Sequence, residues 1–217
     1  MLFLIFGSSC SGKTTLLDAL RVRQAELEIH DFDEIGVPAD ADTAWRHRAN
    51  EQWVQVALAE QMEGRDFVLA GQTPLGELLA APSASQLDAI SACLLDCDDT
   101  ERLVRMRGRG EDWAARFGNN LDDFVHWGEW MRGHARDPRF RSFVIQENCD
   151  PSMQWERWAE WRANDPRWRV RIVETSHVSV DEVADELEQW LQDERELLRA
   201  GQHPLTGAAL SASQRDP

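Results

Sequence analysis

Two hydrophobic rhythms alternate along the chain. Leu2-Phe3-Leu4-Ile5-Phe6 is an unbroken apolar run, the pattern of a strand covered on both faces. Shorter runs at Leu27-Glu28-Ile29-His30, Phe67-Val68-Leu69-Ala70, Ala92-Cys93-Leu94-Leu95-Asp96 and Arg169-Val170-Arg171-Ile172-Val173 predict four more strands. Between them the period lengthens. Residues 14 to about 25 predict a helix, and a second runs from Asp42 or Thr43 to about Met62, with Trp45, Ala49, Trp53 and Val56 at helical spacing. A third follows Asp96 and carries Arg102, Arg105 and Arg109. A last one opens on the capping box Ser179-Val180-Asp181-Glu182 and aligns Val183, Leu187, Trp190 and Leu191. Strands alternating with helices imply a doubly wound α/β fold with a parallel five-stranded sheet, whose ligand sits at the carboxyl ends of the strands.

At the end of the first strand stands GSSCSGKT, Gly7-Ser8-Ser9-Cys10-Ser11-Gly12-Lys13-Thr14, followed by Thr15 and the first helix. In a chain of this composition, the pattern GxxxxGK[ST] arises by chance with a probability of roughly 0.0003. Glycines at this spacing let successive backbone N–H groups turn inward onto phosphate oxygens, and the helix N-terminus adds its dipole. Residues 7 to 15 are therefore the predicted nucleotide-binding loop. Lys13 supplies a mobile positive charge for the β- and γ-phosphates, and the Thr14 hydroxyl can face a magnesium ion.

Composition narrows the alternatives. The 23 basic residues include a single lysine, Lys13. The Asn/Thr-Lys-x-Asp guanine motif of switch GTPases therefore cannot be present. A formal charge of −16 opposes a broad nucleic-acid surface. No apolar stretch is long enough to span a membrane, and the first apolar run lacks the basic flank of a signal peptide, so a cytoplasmic protein without a membrane partner is expected. Cys10, Cys93, Cys97 and Cys149 show no paired metal spacing and read as reduced thiols.

GSSCSGKT, HDFDE after the second strand, LLDCDDTERLVRMRGR and VETSHVSVDEVADELEQWL together resemble the small P-loop kinases of the nucleoside monophosphate kinase and shikimate kinase type. The resemblance covers about residues 1 to 110 and 168 to 192. It implies ATP as donor, Mg²⁺ as cofactor and a small-molecule acceptor. It also implies Asp31 near magnesium, Asp33 as the carboxylate that takes the acceptor's proton, and Thr175 to His177 as the loop beside the base. The lid arginines come from Arg105, Arg107, Arg109 and Arg116, with Arg107 and Arg109 preferred by position. Asp96 is read as a turn residue, since the arginine-rich helix after it suits a lid. Gln72, after an acid-free third strand, becomes a candidate acceptor contact.

The segment 111–167 falls outside that resemblance. Trp113, Trp127, Trp130, Trp155, Trp158 and Trp161 lie in it and Trp168 borders it. It predicts a helical lid or acceptor lobe, with one helix started by Asn120 with Asp123 and another started by Ser152. Most of the tryptophans are expected to pack it, and His134 is a candidate acceptor contact. Residues 1–198 then form one domain, and residues 199–217, small and polar, are expected to be a disordered tail. The function expected is transfer of the γ-phosphoryl group to a hydroxyl or phosphate of a nucleoside, nucleotide, sugar acid or antibiotic. The alternative is a nucleotide-binding ATPase or regulator whose tryptophan-rich lobe meets a protein partner.

Overall fold

The computed structural model describes residues 1–110 and 121–212. Trp113, Arg116 and Asn120 lie outside the described residues. The five expected strands form: β1 (Leu2–Phe6), β2 (Glu28–Asp31), β3 (Phe67–Gly71), β4 (Ile90–Asp96) and β5 (Val170–Glu174). They make one parallel sheet in the order β2-β3-β1-β4-β5. Every residue of β1, β3 and β4 is buried, because helices cover both faces. The chain leaves β1 toward one edge and β3 toward the other, so the crevice where ligands bind opens between their carboxyl ends.

Side-chain alternation splits the apolar residues into two cores. Phe3, Ile5, Val68, Cys93 and Leu95 pack under α1 (Lys13–Arg23) and the later helix Val180–Arg199. Leu2, Leu4, Phe6, Phe67, Leu69 and Leu94 face α2 (Thr43–Met62) and α3 (Leu75–Ala80). The helix α4 (Asp99–Gly108) starts on Asp98, whose carboxylate accepts from Glu101 N at 2.8 Å. Then come α5 (Leu121–Arg136), α6 (Phe143–Gln146), α7 (Val180–Arg199) and α8 (Gly207–Ala212). The Ser179 capping box of α7 is formed in both directions. No helix among the described residues is long and apolar enough to cross a membrane.

The tryptophan-rich segment is an aromatic cluster that joins the sheet's own core: Trp130, Trp158, Trp161 and Trp168 are buried with Leu2 and Leu94. Three of the ring nitrogens are used on backbone carbonyls, Trp130 Nε1 donating to Arg141 O at 3.1 Å, Trp158 Nε1 to Gly76 O at 2.9 Å and Trp168 Nε1 to His134 O at 3.0 Å. The second helix expected from Ser152 is only a 3₁₀ turn, Trp155–Arg157. From this turn the Arg157 guanidinium caps the end of α3, donating to Leu79 O and Ala81 O.

Residues 199–212 are ordered, correcting the expectation of a tail disordered from residue 199; residues 213–217 lie outside the described residues. Leu205 and Leu210 are buried, Thr206 bridges to Ala89, and His203 Nε2 lies 2.8 Å from Ser91 Oγ. Composition hid this because the segment needs few apolar residues: Gly207 lets two backbones touch. A Cβ there would sit 2.3 Å from Ser85 O and 2.4 Å from Leu87 O. Gly207→Ala is therefore expected to cost about 1–3 kcal/mol, read as a lowered denaturant midpoint at unchanged slope.

Candidate active site

The phosphate loop is built by backbone geometry before any side chain acts. Gly12 has φ +96° and Cys10 φ +64°, both left-handed, so the chain reverses tightly between β1 and α1. A Cβ on Gly7 would lie 2.4 Å from Leu95 O and 2.6 Å from Ser11 Oγ, which explains the first glycine. Lys13 Nζ folds back to donate to Gly7 O at 2.7 Å and Ser8 O at 3.0 Å. The side chain is half-buried, and desolvation pushes its ammonium down to about 8 against the opposing pull of Asp31, with Arg102 lowering it further.

That shift gives a sign. A polyphosphate stabilises the ammonium, so binding takes up a proton wherever the free loop has lost one. Nucleotide affinity is expected to be flat below pH 8 and to fall by up to about tenfold per pH unit above it. Equilibrium titration of ATP between pH 7 and 10, with Lys13→Met as the variant that removes the slope, checks this.

Behind the loop stands a network that the sequence did not reveal. Arg102 is fully buried; its Nη1 donates to Ser8 Oγ at 3.1 Å and Ser9 O at 2.9 Å, and its Nη2 to Asp96 Oδ1 at 2.8 Å. Arg132 of α5 reaches the same carboxylate at 3.2 Å and Asp99 at 2.9 Å. Burial raises the Asp96 carboxyl, an effect that Arg132 and then Arg102 oppose only in part. Asp96 is thus occupied by arginines. Ser8 Oγ in turn donates to Phe124 O at 3.0 Å, tying α5 to the loop.

Two cavities flank the loop. The smaller, about 200 Å³ on the β4–β5 side, is lined largely by apolar groups, including Leu16, Val178, Val180 and Val183, with Arg105 at its wall. Thr175, at the start of the expected base loop, anchors this side: its Oγ1 donates to Ser11 O at 3.0 Å, and Arg105 Nη2 donates to its carbonyl at 2.6 Å. His177 stays exposed. The larger cleft, about 580 Å³ on the β2–β3 side, brings together Lys13, Thr14, Asp31, Asp33 and Gln72. Ser9 and Cys10 line it as well, while Gly12 and Thr15 face the smaller cavity and Ser11 is buried beneath the turn.

Asp31 ends β2, and its Oδ1 accepts from Asp33 N at 3.0 Å, which ties the Asp31 carboxylate to the turn that carries Asp33. Desolvation and then the Asp31 charge raise the Asp33 carboxyl, partly opposed by Lys13. Gln72 Nε2 donates to Ser9 Oγ at 3.4 Å. Arg109 lines both cavities, whereas Arg107 is exposed and lines neither.

His134 is not placed at this cleft. It is 1% exposed, stacks on Trp130 at 4.7 Å and meets Trp158 and Trp168 edge-on. Burial pushes it down to about 4, so it is a neutral member of the aromatic core. Conversely, Phe32, Trp45, Arg46, Thr73 and Trp127 line the cleft without having been expected there.

No protein-family model and no curated protein matches the chain. Among solved structures it is similar to a sugar kinase from Janibacter sp., at 15% identity over 88% of this chain and 94% of that one, with TM-score 0.50. It is also similar to shikimate kinase from Aquifex aeolicus (15%, 89% and 97%, TM-score 0.49) and to thymidylate kinase from Candida albicans (12%, 89% and 92%, TM-score 0.46). With its strand order and its glycine loop between β1 and α1, the chain has the fold of the P-loop kinases.

Proposed function

We propose that the protein is an ATP-dependent phosphotransferase that moves the γ-phosphoryl group to a small-molecule acceptor, and that the acceptor group is a hydroxyl. The observation that carries this reading is the position of Lys13: the loop it belongs to separates an apolar cavity suited to a nucleobase from a cleft containing a carboxylate pair. A nucleotide with its base against Val178 and Val180 would lay its phosphates over residues 7–14 and its γ-phosphorus toward Asp33.

The acceptor oxygen then forms a bond to the γ-phosphorus as the bond to the β-bridging oxygen breaks, and ADP leaves with that electron pair. The hydroxyl proton passes to the Asp33 carboxylate, whose raised pKa suits it to hold a proton. Lys13 and Arg109 face the charge that builds on the transferred group.

The residues present fit a magnesium ion. Thr14 exposes its hydroxyl at the start of α1 and Asp31 lines the same cleft. Bound there with the phosphates, the ion would neutralise part of their charge. With one hydroxyl and one carboxylate from the protein, such an ion would be held jointly with phosphate oxygens.

The ATPase or regulator alternative had the tryptophan-rich lobe meeting a protein partner, and Trp130, Trp158, Trp161 and Trp168 are instead buried in the core, which does not favour it. Incubation with γ-labelled ATP and pooled metabolites tests the proposal. Label is expected on an organic product; release only as inorganic phosphate from every pool would overturn the kinase reading.

A further inference from the structure

The acceptor's charge is written in the wall of the larger cleft. On its α2 side the cleft carries one cationic group among the described residues, Arg46. That charge is already committed. Arg46 Nε lies 3.0 Å from both oxygens of Glu77, and Nη2 donates to Oε1 at 2.5 Å. Glu77 is completely buried, and Asn50 Nδ2 donates to its Oε2 at 3.2 Å. Desolvation alone would raise the Glu77 carboxyl, but Arg46 and then His47 hold it below the usual range, so the pair is ionised and neutral as a unit.

The other cations of the cleft among the described residues, Lys13 and Arg109, stand at the phosphate loop, where the negative charge that the donor's polyphosphate keeps beside magnesium is enough to offset them. Asp31, Asp33 and Asp123 add three carboxylates to its lining. A phosphate or carboxylate on the acceptor would therefore enter a site already negative once nucleotide is bound.

What the cleft does offer is neutral or apolar. Thr73 is 1% exposed and lines the cleft, and its hydroxyl has no hydrogen-bond partner among the described residues. A buried hydroxyl left unsatisfied points to a polar group supplied by a ligand. Trp45, set edge-on to Phe32 at 6.2 Å, and the half-buried Trp127 add flat apolar surface.

We propose that the acceptor is a non-anionic, ring-containing alcohol: its hydroxyl meets Asp33, its ring lies against Trp45 and Trp127, and a neutral polar group bonds Thr73. This rests on the kinase reading and narrows it, removing nucleotides and sugar acids and retaining neutral nucleosides and neutral or amine-bearing antibiotics.

The test offers the protein γ-labelled ATP with three pools of hydroxyl compounds: neutral (nucleosides, benzyl alcohols, sugars), cationic (amino sugars, aminomethyl benzyl alcohols) and anionic (nucleoside monophosphates, gluconate, hydroxymethyl benzoates). Transfer is expected only to the neutral or cationic pools. For each substrate found, kcat/KM should exceed that of its phosphorylated or carboxylated analogue by at least about tenfold. Preference for the anionic member overturns this inference and leaves the kinase reading standing, whereas free phosphate as the sole product from all pools overturns both.

Thr73→Val should raise KM for the acceptor at unchanged KM for ATP, and an unchanged acceptor KM would count against the proposed contact. Glu77→Gln, which leaves Arg46 uncompensated, should shift preference toward anionic analogues. If that variant does not fold, the wild-type pools decide the question alone.

Discussion

Lys13→Ala is expected to lower phosphoryl transfer by about 10³-fold or more, the scale of losing a preorganised charge at a developing anion, while the free protein melts no lower than wild type. The second half follows from the sign of the lysine's shift. Its folded pKa, about 8, lies below the ordinary lysine value of 10.5. The folded state therefore binds this proton more weakly than the unfolded chain does, and the charged side chain opposes folding. That penalty grows as pH falls from the unfolded value to about 8 and is complete below it. Removing the ammonium relieves it at the cost of two bonds to loop carbonyls.

Thermal melts should separate these effects. Wild type gains stability from ATP by mass action, and the variant should gain far less. A variant that melts much lower without nucleotide would mean that Lys13 supports the fold, and one that transfers phosphate normally would remove the loop from the mechanism.

How far the sequence could be read depended on how far apart the cooperating residues lie. The phosphate loop occupies one contiguous stretch, so its glycines, lysine and threonine were legible together. The strands were legible because burial on both faces leaves unbroken apolar runs. Arg46 and Glu77 are 31 positions apart, and Arg102 and Ser8 are 94 apart. Neither pairing has a local pattern. Arg102, Arg105 and Arg109 share a helical stripe, yet the stripe cannot say that the first is buried under the loop, the second ties Cys10 to Thr175, and the third reaches the cavities.

His134 had a usable signal. It continues the spacing of Trp127 and Trp130 along α5, so its side chain turns inward with them, and a histidine on an aromatic stripe belongs to the core.

Asp33→Asn should divide catalysis from binding. Asparagine keeps the shape and cannot take the acceptor's proton, so kcat is expected to fall by about 10²–10⁴-fold with KM for ATP little changed. The pH profile adds a readout that a structural role would not move. In wild type the base must be ionised, so activity falls as pH drops through the Asp33 pKa, which burial and Asp31 place above the ordinary value of 3.8. That acid limb should vanish in the variant's residual activity. Asp31→Asn should behave differently: it removes a charge that favours the Lys13 ammonium, and its deficit should shrink as magnesium is raised. It should also free Asp33 from a like charge, shifting the acid limb to lower pH. If the two variants respond identically to magnesium and pH, the division of labour between the carboxylates is wrong, even if both lose activity.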